Sequence, residues 1–562
     1  MSGRKLSRSL LVGLLAVGLV PVATAHDDSD DVNAIVDDVA NTLTTSPKRL
    51  QPEPTIAIDP SDPDIIAAGA QDFRKTTELR EACTGNRWNG LYISTDGGAT
   101  FPDNRLVPGF FTDTSGEEDE SEMFGLCLNT DPVIVFDDQE HMYYSHIAFN
   151  DVPQGTTTRS TVGVLYVSVY DKAAGTYQHT TTVKVPSSSG KSRAPEIHEV
   201  GPGSSNFNDK QWMTADLNPD SPFYGRVYVT WTKFGAQGGQ SAIWISHCGG
   251  DTAGDSCAAE LADDGQFSDG VIVNRPVAGG LVQESFPAVA PNGDLYVAFL
   301  QFQGGFGSTR KHSGIWIAKS TDGGATFTQQ RITPIRQIPS PIPPQGTAAN
   351  DGNNSFRTGT APGVAATDNG TVHVVWGEWV DGNNAEIKYT RSIDDGATWE
   401  PIIPLNDDLT GHEFFPSIDS NGNNVHVAWY DGANPAGQTI TQLNVAYITF
   451  ADGVGAALAA DDRLVTDEPF NPNTVSRSPV FCQAFIGDYL DIDVVPDGDG
   501  EKVAIVWNDN RNVDLDGSPE TDDDPLTPDE CTEFRTDPAN PAIQDDLNDG
   551  SLDQDTFVEI NP

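Results

Sequence analysis

The chain has 562 residues, of which 82 are acidic and 32 are basic, and its formal net charge is −50. A surface this negative repels nucleic acid and anionic membranes, which excludes both as partners. The 10 Trp and 25 Phe, together with regularly spaced apolar segments, indicate a packed core rather than a disordered acidic chain.

The acidic residues are spread along the whole chain and are not massed in one tail. This distribution is typical of a halophilic protein, because a high-salt exterior screens the repulsion between like charges. Binding of divalent cations is the alternative source of the acidic bias, and the two explanations are compatible.

Residues 1–25 have the pattern of a secretory signal peptide. Basic residues precede an apolar segment at 10–20, and the small residues at 23–25 suit signal peptidase. The apolar segment is too short to span a bilayer, and no later stretch is apolar for long enough. We therefore expect a secreted, extracellular protein that begins at His26 and has no membrane span.

Residues 26–50 form an acidic leader. Apolar residues at helical spacing within it predict a short amphipathic helix, and an unstructured acidic leader is the alternative. The apolar residues of this pattern are Val32, Ile35, Val36, Val39 and Leu43.

Six cysteines in an exported chain predict disulfides. Proximity in the sequence favours three pairs, although six cysteines allow 15 connectivities. The favoured pairs are Cys83 with Cys127, Cys248 with Cys257, and Cys482 with Cys531.

One pattern recurs seven times between residue 51 and residue 562: a short apolar strand, a turn, a second alternating strand and then a third strand. Repeats of three or four strands arranged radially are typical of a β-propeller. We predict an all-β chain with a single β-propeller at 51–562, which has seven blades or, alternatively, six, and an acidic insertion at about 512–550. Separate sandwiches are the alternative fold. The last repeat supplies only three strands, so the segment before Pro54 is predicted to add the fourth and to close the ring.

Three segments match the pattern Ser-x-Asp-x-Gly-x-Thr-Phe/Trp, at 94–101, 320–327 and 392–399. Asp bonds to backbone N–H groups further along the turn, Gly accepts a positive φ, and the last aromatic residue packs between sheets. Each segment directly follows a third strand. We therefore predict a hairpin of this kind, an Asp box, between the third and fourth strands of three blades.

These segments and the strands at 286–294 and 415–422 resemble the sialidase-like (BNR or Asp-box repeat) β-propeller superfamily. The resemblance implies that Asp96, Asp322 and Asp394 are structural and lie away from the active site. It also implies a glycoside hydrolase of the exo-α-sialidase type. Such an enzyme has three arginines that clamp the substrate carboxylate, a Tyr nucleophile beside a Glu, and an Asp acid.

In a propeller, residues just before the first strands and loops between the second and third strands, such as the loop with Arg511, line the central mouth. With the resemblance, the first of these positions predicts Tyr489 and Glu413 as the nucleophile pair and Asp209 as the acid. The predicted anion-binding residues are Arg357, Arg477 and Arg511. Other candidates at this position, to which no role is assigned, are Glu53, Asp131, Lys210, Gln211, Glu284, His412 and Asp488.

The segment 512–523 imitates a calcium-binding loop, with oxygen-bearing residues at alternate positions and a glycine at the turn. Asn at its first position and Asp at its last depart from the usual pattern, and an acidic surface insertion is the alternative. The predicted calcium ligands are Asn512, Asp514, Asp516, Glu520 and Asp523. No organic cofactor is predicted.

The sequence thus favours a secreted, sialidase-like glycoside hydrolase whose partner is an extracellular glycan or glycoconjugate. Glu-Pro-Thr at 53–55 stands where the resemblance implies an arginine, and sialidases have six blades. Both departures favour the alternative, a glycan-binding or scaffold propeller without catalysis. A polysaccharide lyase on the same fold is a third hypothesis.

Overall fold

The computed structural model describes 23 stretches of the chain: residues 34–35, 51–73, 88–109, 123, 126, 128–149, 163–172, 175–183, 185–186, 192–193, 207–236, 240–250, 257–262, 267–274, 280–302, 313–345, 353–380, 384–407, 409–458, 460–473, 484–498, 500–511 and 554–562. Several predicted features lie outside these residues, namely the signal peptide, the calcium-binding loop, Arg477, Cys83, Cys127, Cys482 and Cys531.

The described elements are almost entirely strands. In chain order they are β1 (Ala34–Ile35), β2 (Thr55–Ile58), β3 (Ile66–Asp72), β4 (Trp88–Ser94), β5 (Asp103–Leu106), β6 (Leu128–Phe136), β7 (His141–Phe149), β8 (Val164–Asp171), β9 (Tyr177–Thr182), β10 (Val185–Pro186), β11 (Ser192–Arg193), β12 (Asn208–Ala215), β13 (Val227–Ala236), β14 (Gln240–Cys248), α1 (Cys257–Ala262), β15 (Val271–Asn274), β16 (Leu281–Val289), β17 (Leu295–Phe302), β18 (Ser313–Ser320), β19 (Thr328–Ile335), β20 (Pro362–Ala366), β21 (Val372–Trp379), β22 (Ala385–Ser392), β23 (Ile403–Pro404), β24 (His412–Asn421), β25 (Asn424–Gly432), β26 (Leu443–Ala451), α2 (Val454–Ala457), β27 (Arg463–Leu464), β28 (Asp491–Asp497), β29 (Gly500–Asp509) and β30 (Asp555–Ile560). Within the described ranges, neither helix has the length and apolar character needed to cross a bilayer.

The strands form a β-propeller. Five sheets have four antiparallel strands each: β2 to β5, β6 to β9, β12 to β15, β16 to β19, and β28 to β30 with β1. An eight-stranded sheet joins β20 to β23 with β24 to β27 through one parallel pairing, Ala385 with His412. The first strand of each group packs against the first strand of the next, in the order β2, β6, β12, β16, β20, β24, β28 and back to β2. The sheets therefore surround one axis, and separate sandwiches are excluded.

The ring closes through the N-terminal segment. β1 lies at the outer edge of the last sheet, where Ala34 pairs with Val558 and Ile35 pairs with Phe557. The prediction that a segment before Pro54 adds a strand to the last sheet is confirmed. The helix predicted from apolar spacing is wrong at these two residues, because they extend along the free edge of β30 and pair with it.

The core lies between neighbouring sheets. Four second strands carry a fully buried tryptophan at equivalent places: Trp231, Trp376, Trp429 and Trp507. Each of these rings packs in a cluster that draws side chains from two neighbouring groups of strands. Because burial of such rings accounts for much of a core's stabilisation, each sheet depends on its neighbours for stability.

The three Asp boxes lie between third and fourth strands, as predicted. In the first box, Asp96 Oδ1 accepts hydrogen bonds from Ser94 Oγ (2.7 Å) and from the Thr100 amide (2.9 Å), and Gly98 N donates to Ser94 Oγ. The boxes at Asp322 and Asp394 repeat these bonds. Because neighbouring strands are antiparallel, all three boxes lie at the end of the propeller where the first strands finish. The first strands start at the other end.

One disulfide joins Cys248, at the end of β14, to Cys257, at the start of α1, which confirms that predicted pair. We expect the variant Cys248→Ser/Cys257→Ser to lose about 2 to 3 kcal/mol of unfolding free energy, because the bond closes a short loop in the unfolded chain. Denaturant unfolding at fixed pH measures this loss. A reducing agent should destabilise the wild type by about 2 to 3 kcal/mol more than it destabilises the variant, and equal stability of the two oxidised proteins would contradict the expectation.

Carboxylates bind the backbone N–H groups at the inner edges of the first strands. Each of these carboxylates belongs to the first strand of an adjacent sheet, so it joins two sheets at the axis. The bonds run from Ile56 N to Asp491, from Ile58 N to Asp493 and from Val494 N to Asp419. They satisfy donors that have no neighbouring strand.

Asp491 predicts a pH dependence of stability, since burial raises its pKa to about 7. A group whose folded-state pKa exceeds its unfolded value favours the folded state at acidic pH, and this contribution is lost as the pH rises through 7. Relative to Asp491→Asn, the wild type should therefore lose about 3 kcal/mol of unfolding free energy between pH 4.5 and pH 8.5. Denaturant titrations of both proteins at the two pH values test this. A difference between them that stays constant with pH would contradict it.

Candidate functional site

Four charged residues at or near the starts of first strands have a left-handed backbone, which is unusual for side chains of this kind. Glu53 lies two residues before β2, and Asp131, Lys210 and Glu284 lie within β6, β12 and β16. The φ angles are 62° at Glu53, 52° at Asp131, 49° at Lys210 and 57° at Glu284. At the last three, the pairing of the first and second strands shifts register, as in a β-bulge. A bulge redirects side chains, and strained backbone of this kind persists where surrounding contacts hold it. Here the redirected side chains meet at one end of the axis, the mouth of the propeller.

The bottom of the mouth is a buried ionic cluster, which we call the floor: Glu53, Asp131, Lys210, Asp488 and Tyr489. Lys210 Nζ donates to Asp488 Oδ2 at 2.7 Å and to Glu53 Oε1 at 3.2 Å, and it lies 5.2 Å from the centre of the Tyr489 ring. The Lys210 side chain is only 7% exposed. One ammonium group therefore bridges carboxylates from the first and last sheets.

Charges within the floor balance each other. Burial, followed by the charge of Asp131, raises the pKa of Glu53 well above its usual value, so its surroundings favour the protonated form. Burial opposes ionisation of Asp131 and Asp488 as well, but their pKa values are lowered. For Asp131 the opposing causes are Lys210 and a hydrogen bond with Glu53, and for Asp488 they are Arg357 and Lys210. The surroundings thus favour the charged forms of Asp131 and Asp488, which face the cations Lys210 and Arg357.

Above the floor is a partly exposed layer, which we call the rim: Asp209, Trp212, Glu284, Phe286 and Arg357. Asp209 Oδ2 accepts a hydrogen bond from Gln283 Nε2 at 2.7 Å, so the neighbouring sheet orients it. Arg357 Nη2 donates to Asp488 Oδ2 at 2.6 Å, yet its side chain remains 36% exposed. The guanidinium also lies 5.4 Å from the centre of the Phe485 ring.

Two carboxyl groups of the rim titrate near neutral pH. Burial, followed by the charge of Asp131, raises the pKa of Asp209 to about 7. Burial raises the pKa of Glu284 to about 8, although Lys210 acts in the opposite direction. Asp209 and Glu284 also influence each other, since the charge of Asp209 contributes to the raised pKa of Glu284. Neighbouring carboxyl groups with separated pKa values near 7 are characteristic of acid and base catalysts.

Aromatic rings stand beside these carboxyl groups. The Trp212 ring lies 4.6 Å from the Phe286 ring, centre to centre, and 5.3 Å from the ring of Tyr489, which it meets edge to face. Trp212 follows Asp209 by three residues and Phe286 follows Glu284 by two, so the strands that carry the acids also carry the rings. A flat apolar wall with a few polar groups suits the binding of a sugar ring.

The structure brings together three of the predicted site residues, Asp209, Arg357 and Tyr489. The Tyr489 hydroxyl donates to the carbonyl oxygen of Pro132 at 3.3 Å. Burial, then the charges of Glu53 and Asp131, raise its pKa well above the usual value. The carboxylates with the largest influence on Tyr489 are thus those of the floor.

The other two described candidates, Glu413 and Arg511, contact residues that do not belong to the floor or the rim. Glu413 Oε2 accepts a hydrogen bond from Asn406 Nδ2 at 3.2 Å. Arg511 Nη2 donates to Asp509 Oδ2 at 2.6 Å, Nη1 pairs with Asp467, and the guanidinium lies 4.4 Å from the centre of the Phe557 ring. Both side chains are therefore held by interactions within their own part of the ring.

The sequence analysis assigned no role to Lys210 or Glu284. The signal for both was their position directly before a first strand, which they share with Glu53 and Asp131. Among the described residues, no group of three or more His, Cys, Asp or Glu is arranged to hold a metal ion. At the floor, the ammonium of Lys210 lies between Glu53 and Asp488, where a metal ion would otherwise meet both carboxylates.

No protein-family model matches the sequence, and no curated protein matches it either. Among solved structures, the chain is similar to a protein of unknown function from Dyadobacter fermentans DSM 18053, at 14% identity and a TM-score of 0.42, over 74% of this chain and 97% of that one. It is also similar to the Hadza microbial sialidase Hz136, at 12% identity and a TM-score of 0.41, over 77% and 68% of the two chains.

A third similar structure is the intramolecular trans-sialidase from Ruminococcus gnavus, determined in complex with oseltamivir carboxylate. Its identity is 12% and its TM-score is 0.37, over 82% of this chain and 90% of that one. Sialidases and trans-sialidases are thus among the solved propellers that this chain resembles in fold. Fold does not determine activity, which has to be argued from the mouth itself.

Proposed function

We propose that this protein is a secreted glycoside hydrolase that acts on extracellular glycans through two rim carboxyl groups, Glu284 as the general acid and Asp209 as the base or nucleophile. The observation that carries the proposal is the pair of bulged first strands, which present both carboxyl groups to one opening beside Trp212 and Phe286. Two carboxyl groups on either side of a glycosidic bond are the usual equipment for its hydrolysis.

The roles follow from the environments of the two groups. Glu284 has the higher pKa, about 8, so it holds a proton at neutral pH that it can donate to the leaving-group oxygen. Asp209, with a pKa of about 7 and a hydrogen bond from Gln283, is the group that ionises first. This reverses the role that the sequence suggested for Asp209. Arg357 and the aromatic wall would orient the sugar.

An exo-α-sialidase is the second candidate, favoured by the presence of Arg357 and Tyr489 at the same mouth. In that mechanism Arg357 would bind the substrate carboxylate, and a carboxylate would have to take the proton of Tyr489, a role that the raised pKa of Glu53 opposes. Because Arg357 is already paired with Asp488, it would have to share its charge between the two anions. For this reason the carboxyl pair is preferred.

Three further features belong to the proposal. The ring has seven blades, with the eight-stranded sheet counting as two, which is supported by seven first strands that contact each other in cyclic order. The protein is exported, which is supported by residues 1–25 and by the disulfide between Cys248 and Cys257. Finally, the acidic surface suits a high-salt exterior, and the segment 512–523 is proposed to bind calcium.

Aryl glycosides of neutral, amino and acidic sugars, including a sialoside, test the hydrolase across pH 5 to 9. The expected result is turnover of at least one non-sialoside substrate, with a rate that rises as Asp209 ionises and falls as Glu284 ionises. Turnover of the sialoside alone would favour the second candidate. Glycan binding without any turnover would contradict hydrolysis and support a binding propeller.

A further inference from the structure

Carboxyl groups outnumber cations at the mouth. Five carboxyl groups from five sheets surround two positive side chains, Lys210 and Arg357. The five are Glu53, Asp131, Asp209, Glu284 and Asp488. Burial and nearby carboxylates oppose ionisation of Asp209 and Glu284, so a cationic ligand beside them would favour their ionised forms, whereas an anionic ligand would oppose ionisation.

Both positive charges are already engaged by the protein. Lys210 is buried and divides its donors between Asp488 and Glu53. Arg357 is ion-paired with Asp488 at 2.6 Å. A ligand carboxylate would therefore compete with Asp488 for Arg357, and it would also approach Asp209 and Glu284. Asp209 and Glu284 are the two carboxyl groups that remain most exposed to a ligand, and they are also the two whose charge is least neutralised by Lys210 and Arg357.

Two amide oxygens beside the floor are buried hydrogen-bond acceptors that lack a donor among the described residues. Gln71 Nε2 donates to Glu53, and Gln211 Nε2 donates to the carbonyl oxygen of Asp131. The other amide atoms, Gln71 Oε1 and Gln211 Oε1, are buried and have no hydrogen-bond donor among the described residues. Buried acceptors of this kind are completed by donors from water or from a ligand. The described residues therefore leave two acceptor positions beside the floor without an N–H or O–H donor.

We propose that the mouth selects an amino sugar over a neutral sugar and that it rejects sugars that carry a carboxylate. In the proposed complex, Asp209 and Glu284 bind the ammonium group of the amino sugar beside the Trp212 ring. This rests on the proposed function and names its substrate class. An ammonium group supplies both charge and donors, and it is attracted to the face of an aromatic ring. The charged groups that face this position are Asp209, Glu284, Asp488, Arg357, Lys210, Glu53 and Asp131.

Binding constants for three matched probes test the selection. The probes are thio-linked trisaccharides of glucosamine, glucose and glucuronic acid, since glycosidases do not cleave the thio linkage. At pH 7 and low salt, the glucosamine trisaccharide should bind at least about tenfold more tightly than the glucose trisaccharide, which corresponds to one well-placed charge interaction. The glucuronic acid trisaccharide should bind most weakly. High salt should reduce both differences.

Three variants identify the source of the selection. Asp209→Asn and Glu284→Gln should each reduce the preference for the glucosamine probe several-fold. Asp220→Asn is the matched control, because it removes an exposed carboxylate from the turn between β12 and β13, at the opposite end of the same sheet, and it should leave the preference unchanged. Equal binding of all three probes, tighter binding of the glucuronic acid probe, or no binding of any of them would overturn the proposal.

These outcomes separate the inference from the proposed activity. An amino-sugar preference in a protein that cleaves no glycoside would support the inference and contradict hydrolysis. Turnover of neutral or acidic glycosides, together with a preference for the acidic probe, would support hydrolysis and contradict the inference.

Discussion

Asp209→Asn should lower kcat on a cleavable glycoside by about 10² to 10⁴, with a much smaller change in KM. The amide keeps the shape of the side chain and can still interact with Gln283, but it can neither accept a proton nor form a bond to the sugar. The loss therefore falls on the transition state rather than on binding. Steady-state kinetics at the pH optimum of the wild type measure it.

The pH profile supplies the control for this prediction. In the wild type the rate should rise with ionisation of Asp209, near pH 7, and fall with ionisation of Glu284, near pH 8. Glu284→Gln should remove the alkaline fall along with most of the rate, and the loss should be smaller for substrates with good leaving groups, which need less protonation. The distant variant Asp220→Asn should keep the wild-type profile. Unchanged kcat in Asp209→Asn would eliminate Asp209 as a catalyst.

The propeller was predictable from the sequence because its signals are local and repeated. A strand pair followed by an Asp box lies within a few dozen residues, and the bonds that shape each box join residues two and four positions apart, such as Asp96 with Ser94 and Thr100. The disulfide between Cys248 and Cys257 is equally local. Features of this kind need no knowledge of distant segments.

The mouth was less predictable because its chemistry depends on partners far apart in the chain. Lys210 meets Asp488, which lies 278 residues away, and Glu53, which lies 157 residues away. The sequence identified the position before the first strands, but it did not show which of those side chains ionise. Asp209 illustrates this, since its pKa is set by burial and by Asp131, a residue of another sheet.

The surroundings of Tyr489 favour a role other than the nucleophile that the resemblance implied. The resemblance implied a nucleophile activated by a neighbouring Glu. In the structure, burial and two floor carboxyl groups favour the protonated phenol, its hydroxyl donates to a backbone carbonyl, and its ring lies below the ammonium of Lys210. These contacts suit a platform for the buried ammonium.

Lys210→Met should destabilise the protein by about 3 to 5 kcal/mol at pH 8, because it removes one partner of a buried ion pair and leaves Asp488, Asp131 and Glu53 with a single cation nearby. Methionine has a similar length and apolar stem, so the packing loss is small. Denaturant unfolding at pH 8 and at pH 5 measures the effect. The destabilisation should be smaller at pH 5, since the floor carboxyl groups can then take up protons in place of the lost charge.

Lys210→Met/Asp488→Asn is the matched control for the charge. The second change removes the carboxylate that Lys210 contacts at 2.7 Å, so the double variant should recover at least half of the lost stability at pH 8, even though each change alone is destabilising. Arg357 also loses its ion pair with Asp488 in the double variant, but its side chain is 36% exposed and can be solvated. A single variant Lys210→Met within about 1 kcal/mol of the wild type at pH 8 would show that the floor carboxyl groups are neutral without Lys210. In that case the carboxyl groups share protons among themselves, and Lys210 serves only to fill the space between the first and last sheets.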